Sequence, residues 1–319
     1  MNQWKIFCND DLSLKKDALK ELESIADVSY YPAKQKVLIE NIHHFDAYYA
    51  SAHVQMNKEV LDIAKNLKVI ATPSTGTDHI DVEYAKEKNI DVIHIAEEID
   101  LLKGFTATAE HAWGLILACI RKIPAAFDCA KNGYWERQRF TGFQLYKKTL
   151  GIIGLGRLGT MMASFGNGFN MNVIGYDIIE KNIKGVKQVS LDELLKSSNV
   201  ISVHIHLTDE NRGFISKELF SKMKKGVVLI NTSRGAIIDE DAFLENLNSG
   251  HISAAGLDVI DGEWDKNLYD HPLVKYSREH DNLVISPHIA GSTVESIVGA
   301  RVFITKKLTE YIKQNDNLS

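Results

Sequence analysis

The chain is poor in the residues that mark linkers, disulfide frameworks and basic surfaces. It has 319 residues but only five prolines and three cysteines. With so little proline there is no Pro/Gly/Ser linker, and no internal repeat or low-complexity tract is found, so crossings between domains are expected to be structured. Cys8, Cys119 and Cys129 are odd in number and not arranged in close metal-ligand pairs, which predicts reduced thiols, a cytoplasmic protein and no metal. Excess positive charge is also missing. The net charge of −5 provides no basic footprint for counterion release, which excludes nucleic acid as a partner. The most apolar stretch, residues 112–120, is too short to cross a bilayer and is followed at once by Arg121 and Lys122. The opening Met1-Asn-Gln-Trp-Lys-Ile-Phe-Cys8 has no basic segment followed by a long apolar run, so no secretory signal and no membrane partner are expected.

The rest of the composition is that of a globular chain, with 45% hydrophobic and 25% charged residues. Its length favours two domains. Short β-rich runs alternate with helix-like segments, the pattern of strand-helix-strand units around parallel sheets. In the first third, strands are expected at 5–8, 48–52, 68–71 and 91–95, with helices at 14–23, 58–64 and 82–88; Asn57 reads as an N-cap. A second series begins at Thr149, with strands at 150–154, 172–176, 200–204, 227–231, 254–259 and 283–286. Its helices are expected at 158–165, 191–196, 217–222 and 241–248. Residues 106–131 read as one long helix interrupted at Pro124. Residues 293–312 read as another, whose apolar side would carry Val294, Ile297, Val298, Val302, Leu308 and Ile312. Two long helices flanking a complete strand-helix series suggest an inserted domain, residues 101–289, within a discontinuous one, residues 1–100 and 290–319.

Gly154-Leu-Gly156-Arg-Leu-Gly159 follows the apolar run Leu150-Gly-Ile-Ile153 and opens a helix. Small residues there let the backbone approach a pyrophosphate at a helix N-terminus. The next strand, Val173-Ile-Gly-Tyr-Asp177, ends in a carboxylate that would accept both adenosine ribose hydroxyls and repel a 2′-phosphate, and Ile178 and Ile179 supply no cation to hold one. NAD is therefore favoured over NADP. A tight turn for the glycines and a strand-end cap for Asp177 are the plainer alternatives. Further on, Arg234, Asp258 with Glu263, and His288 bring a cation, carboxylates and an imidazole, the inventory needed to reduce a 2-oxo acid or oxidise a 2-hydroxy acid.

Together these segments resemble the D-isomer-specific 2-hydroxyacid dehydrogenases, NAD-dependent oxidoreductases, over nearly the whole chain. The resemblance is carried by Ser74-Thr-Gly76-Thr-Asp78-His-Ile-Asp81, Ala109-Glu110-His111, Lys148 to Gly159, Asn231-Thr-Ser-Arg-Gly235, Gly256-Leu-Asp-Val259 and Pro287-His-Ile-Ala-Gly291. It implies an α/β fold in which a Rossmann-type doubly wound dinucleotide domain is inserted into a smaller, flavodoxin-like substrate domain. It implies that Arg234 binds the substrate carboxylate and the reacting oxygen, a task for a planar guanidinium fork. His288 would be the general acid/base and Glu263 its carboxylate partner. Backbone amides of Thr75 and Gly76 would hold the other side of the substrate carboxylate, and Asp258 would orient the nicotinamide carboxamide. Further cofactor contacts are implied at Gly154, Gly156, Arg157, Leu158 and Gly159, and at Asp177, Thr208, Thr232 and Gly291. Taken singly, Arg234 reads equally as a surface ion-pair partner, His288 as a structural histidine and Glu263 as a solvated side chain. For Glu110 and His111 the plain reading is a staple of their helix to the domain beneath.

The chain also departs from the family's pattern. Trp264 stands where proline usually follows the glutamate, and the stretch 265–282 is long. His206 and Asn211 replace a common proline and threonine. Ser51 stands where members acting on phosphorylated substrates carry arginine, and the chain ends just after the return helix; both count against phosphoglycerate. Glu263 in place of glutamine counts against formate. Glyoxylate, hydroxypyruvate, pyruvate and bulkier 2-oxo acids remain open, with His53 near Ser51 as a further candidate substrate contact. The resemblance also implies a homodimer through the cofactor domains, with the apolar stretch around Trp113 either contact surface or buried helix. An NAD-sensing module like the family's transcriptional corepressors, and a dehydrogenase for polyols, are the rival readings.

Overall fold

A computed structural model of the chain describes residues 3–12, 16–264 and 267–316. It divides into two compact units, Met1–Phe105 with Thr293–Ser319, and Thr106–Ser292.

The first unit is built on one sheet of five strands: β1 (Trp4–Cys8), β2 (Ala26–Tyr30), β3 (Ala47–Tyr49), β4 (Val69–Ala71) and β5 (Asp91–Ile93), in the order β2-β1-β3-β4-β5. Every pairing is parallel, and the order is that of flavodoxin-like folds. The strands are short apolar runs because a parallel sheet is covered on both faces. Side chains alternate between two cores. Ile6, Cys8, Tyr49, Val69 and Ala71 share one with Ile304, Leu308 and Ile312 of the return helix, Val294–Asp316. Phe7, Tyr48 and Ile70 face the other, with Leu38, Ile42, Val60 and Leu61. On the return helix the buried stripe is Ala300, Ile304, Leu308 and Ile312, a strict four-residue repeat, whereas Val294 is 75% exposed. Of the apolar side expected from the sequence, Leu308 and Ile312 lie on this stripe and Val294 lies off it. Asn57 caps Lys58–Ile63, its side-chain oxygen accepting the Val60 amide at 3.1 Å. Absent from the sequence expectation in this unit are β2, the helices Gln35–Asn41 and Ile99–Lys103 and the short turn Ile42–His44. β2, Ala-Asp-Val-Ser-Tyr, is a half-exposed edge strand and lacks the apolar run that marks its neighbours.

The second unit holds seven parallel strands: β6 (Thr149–Ile153), β7 (Asn172–Tyr176), β8 (Lys187–Gln188), β9 (Val200–Val203), β10 (Val227–Asn231), β11 (Ile252–Leu257) and β12 (Leu283–Ile285). Their order, β12-β11-β10-β9-β6-β7-β8, reverses between β6 and β9, which opens a crevice beyond the carboxyl ends of those strands. Two apolar layers cover the sheet. One contains Phe220 and Phe243; the other is formed by Ala107–Arg121, whose Ala112, Trp113 and Ile116 lie on Ile152, Val228 and Ile230. Trp113 is buried against Phe165 and Phe169, so the apolar stretch around it is core rather than contact surface. The long bridging helix breaks at Lys122, which takes φ 52° and ψ 39°, and Pro124 sits in the first turn of the next helix, Ile123–Lys131. Proline's missing amide costs nothing there. Among the described residues no helix is long and apolar enough to cross a membrane.

Phe243 is fully buried and stacks on Phe220 with ring centroids 6.0 Å apart. Phe243→Ala should destabilise this unit by about 3–5 kcal/mol, the usual cost of an emptied aromatic site. Urea unfolding would show this as a lower midpoint, and a wild-type midpoint would place the ring outside the core.

Candidate active site

The crevice end of β6 runs into Gly154, where φ is +93°. A Cβ there would lie 2.4 Å from the His204 carbonyl oxygen, and one on Gly159 would lie 2.0 Å from the Gly154 oxygen, so the turn closes only without side chains. Gly156 precedes the helix Arg157–Gly168, faces open space, and offers no side chain to cap the first-turn amides. Asp177, just beyond β7, secures the turn by accepting the Leu155 amide at 2.8 Å and the Ile179 amide at 3.0 Å. Each carboxylate oxygen keeps lone-pair capacity beyond these bonds. Arg157 is half-buried, and that burial holds its guanidinium below the ordinary arginine range. The loop after β9 is closed by Asn211. Its side chain accepts the Thr208 amide at 2.7 Å and donates to the His206 carbonyl, so the residue found in place of threonine acts as a clasp.

β10 ends at buried Asn231, whose side chain turns the chain. Its amide donates to the Arg234 carbonyl at 2.8 Å, and its oxygen accepts the Ser233 amide at 3.0 Å and hydroxyl at 2.6 Å. Arg234 donates to the Ser233 carbonyl at 2.8 Å. At Gly235 a Cβ would sit 2.0 Å from the Ile260 carbonyl carbon. The arginine loop therefore rests directly on the segment leading to Glu263.

Asp258, one residue past β11, is 1% exposed. One oxygen accepts the Ser286 hydroxyl at 2.6 Å and the Ile289 amide at 2.9 Å; the other accepts the Ala290 amide at 2.8 Å. The His111 Nε2 lies 3.4 Å from the first oxygen and 2.7 Å from the Ser286 hydroxyl. Burial alone would raise the Asp258 pKa, but the bonds from His111, Ser286, Ala290 and Ile289 outweigh it and hold the carboxyl below its ordinary range. The loop it grips carries His288, which adopts φ 52° and donates its amide to the Asp258 carbonyl at 2.8 Å. The His288 Nδ1 lies 2.6 Å from Glu263 Oε1, while Glu263 Oε2 accepts the Ile260 amide at 3.3 Å. A histidine that gives Nδ1–H to a carboxylate has Nε2 left for proton exchange.

Glu263 and His288 are thus in contact, and Arg234 joins them through the Gly235–Ile260 backbone. Thr75 and Gly76 belong to the first unit, in the loop between β4 and the helix Val82–Glu87. That loop is anchored by a buried hydrogen bond of 3.2 Å between Thr72 and His79. Ser286 and the engaged role of His111 were not foreseen. Their signals were a serine directly before Pro287-His288 and a charged pair, Glu110-His111, in an otherwise apolar helix.

Residues 113–290 match the family model of the D-isomer specific 2-hydroxyacid dehydrogenase NAD binding domain. The chain belongs to that family. It is 39% identical over 280 residues to a D-3-phosphoglycerate dehydrogenase of Archaeoglobus fulgidus, covering 86% of this chain and 51% of that protein. The chain spans about half the length of such D-3-phosphoglycerate dehydrogenases. With a hydroxypyruvate reductase of Thermotoga maritima it shares 35% identity, covering 93% of this chain and 94% of that one. Among solved structures, the D-lactate dehydrogenase of Aquifex aeolicus complexed with NAD and lactic acid superposes with a TM-score of 0.82 at 31% identity, over 98% of this chain and 96% of that one.

The crevice of this dehydrogenase-family chain suits an NAD molecule. The glycine turn leaves room for a pyrophosphate, the helix start behind it is uncapped, and Thr232 has a buried hydroxyl without a hydrogen-bond partner. Such a hydroxyl costs stability unless a ligand satisfies it. Thr232→Val should therefore leave the unliganded protein at least as stable while weakening NADH binding about tenfold, the worth of one hydrogen bond. Calorimetric titration checks this, and unchanged affinity would detach Thr232 from the cofactor. Asp258 also predicts a pH effect. Because its folded pKa is depressed, its stabilisation is present above the unfolded carboxylate pKa and is lost as pH falls through the folded value. Asp258→Asn should flatten the acid limb of the stability curve in thermal melts from neutral to acid pH.

Proposed function

We propose that the protein is an NAD-dependent oxidoreductase acting on a small D-2-hydroxy acid or the corresponding 2-oxo acid. The observation that carries this reading is the 2.6 Å contact between Glu263 and His288, held on a loop whose anchor is a buried carboxylate at the end of β11. Bound NAD(H) supplies or accepts the hydride at the substrate's C2. Arg234 binds the substrate carboxylate and polarises the C2 oxygen, with the Thr75 and Gly76 amides on the carboxylate's other side. In reduction His288 gives the Nε2 proton to the developing alkoxide, and in oxidation it takes that proton back. Glu263 favours the imidazolium and fixes the ring's tautomer. The cofactor would be held by the Gly154–Gly159 turn with Arg157 and Leu158, by Asp177 at the ribose, and by Thr208, Thr232, Gly291 and the remaining lone pairs of Asp258.

Small unphosphorylated acids such as glyoxylate, hydroxypyruvate and pyruvate fit best, because Ser51 carries no charge and its hydroxyl is paired with the His53 ring at 3.0 Å. A hydroxypyruvate reductase matched nearly end to end supports the same class. A cytoplasmic homodimer completes the reading. Its contact surface would be the segment following the buried bridging helix, where Ile123, Phe127, Tyr134 and Trp135 are exposed, the last at 89%.

A panel of 2-oxo acids offered with NADH and with NADPH tests the proposal through nicotinamide absorbance. Turnover with NADH should exceed that with NADPH and should require the substrate carboxylate. His288→Ala should reduce kcat by about 10²–10⁴-fold, the range for general acid–base groups, while NADH still binds. No turnover across the panel by a protein that binds NADH would overturn the assignment.

A further inference from the structure

Resting on that reading of His288, we propose that Trp264 is a positioning residue for the acid–base imidazole, its indole plane fixing how the ring pivots about the Glu263 hydrogen bond. Glu263 secures one nitrogen, Nδ1, at 2.6 Å. A single bond of this kind fixes one atom of the ring but leaves the broad, two-fold χ2 torsion to be set by something else. The indole of Trp264 stacks on the imidazole with centroids 5.7 Å apart and planes inclined by 29°, within the range of offset aromatic pairs. Trp264 is 53% exposed, so the stack lies at the edge of solvent. The turn that delivers Glu263 delivers Trp264 in the next position, so both contacts to the ring arise from two adjacent residues. A proline in that position, the residue usual at this point of the pattern, offers no aromatic plane.

The stack has an electrostatic consequence. An indole face is electron-rich and attracts a cation lying over it, so the stack grips the ring more firmly when the imidazole carries a proton. Among the described residues, His288 also meets the Glu263 carboxylate at Nδ1 and the Asp258 and Ser286 carbonyls, which accept its amide. The Asp258 carboxylate, paired with Ser286 and His111, holds the amides of residues 289 and 290. Glu263 thus holds the ring at one atom by a hydrogen bond, and Trp264 holds its plane by contact.

The test needs a readout that does not depend on turnover. A protonated imidazole touching an indole quenches its fluorescence, and a neutral one does so far less. Tryptophan emission of the unliganded protein, titrated from alkaline to acid pH, should fall in one protonation step. That step should vanish in both His288→Gln and Trp264→Phe. A step of undiminished size in His288→Gln overturns the proposal. In NADH-dependent reduction, Trp264→Ala should lower kcat about two- to fivefold and shift the His288 limb of the pH profile down by about 0.4–0.7 unit, the equivalent of an exposed cation–aromatic contact. KM for the 2-oxo acid should stay within about twofold, and Trp264→Phe should recover most of kcat. A raised KM with an unmoved pH profile would make Trp264 a substrate contact and overturn the positioning role. If the quench is present but no 2-oxo acid is reduced, the stack stands and the functional reading fails. If His288→Ala abolishes turnover but no quench is seen, the inference about Trp264 fails alone.

Discussion

The buried carboxylate of Asp258 is the constraint on which the site depends. An ionised acid with 1% exposure is tolerable only when its oxygens are occupied, and here a hydroxyl, two backbone amides and a histidine occupy them. Two of these donors, the Ile289 and Ala290 amides, directly follow the histidine taken as acid/base. Satisfying the charge therefore determines the path of that loop, including the left-handed backbone of His288, a conformation that costs a non-glycine residue about 1–2 kcal/mol. The same strand end leads within five residues to Glu263. One buried charge thus fixes the loop that carries His288, while Glu263 is held by the Ile260 amide at 3.3 Å on the segment that leaves the same strand end.

The opposite side of the crevice follows a related rule, with close backbone approach in place of buried charge. Gly154, Gly159 and Gly235 each stand where an added Cβ would fall within 2.4 Å of a neighbouring backbone atom. The first two bring the helix start of Arg157–Gly168 against the end of β6, and the third sets the Arg234 loop against the approach to Glu263. The uncapped start of Arg157–Gly168 carries the partial positive charge of a helix N-terminus, although the chain as a whole carries a net charge of −5. A bound anionic dinucleotide would meet that local charge rather than the overall one.

Much of this was legible in the amino-acid sequence because it rests on short-range rules. The strands Asn172–Tyr176 and Val227–Asn231 announce themselves as apolar runs with turn residues at their ends, and both match the sequence reading residue for residue. Asn57 announces a cap. The pairing order of the sheets follows from the family resemblance together with the strand-helix alternation. The illegible parts depend on three-dimensional neighbours. β2 is an edge strand with polar positions, and the apolar stripe of the last helix has a rotation fixed by which sheet face it covers. Ser286 and His111 are 175 positions apart and meet in a 2.7 Å hydrogen bond beside the Asp258 carboxylate. No local pattern encodes such a triplet.

The relatives illustrate why chemistry and substrate separate in this family. Proteins named for phosphoglycerate, hydroxypyruvate and lactate all match this chain at 31–39% identity. These three compounds share a carboxylate next to an oxygen-bearing C2 and differ only beyond it. On the proposed reading a guanidinium, an imidazole and its carboxylate partner act on the shared part, so they bear on the reaction and are silent on the remainder. Discrimination requires groups that meet the variable end, where a charged phosphate calls for a cation and a methyl or hydroxymethyl group does not. In the first unit the position beside His53 holds Ser51, an uncharged hydroxyl already hydrogen-bonded to a histidine ring. Ser51 brings no cation for a second negative charge, which on the proposed reading favours the uncharged end of the series even though phosphoglycerate dehydrogenases reach the higher sequence identity.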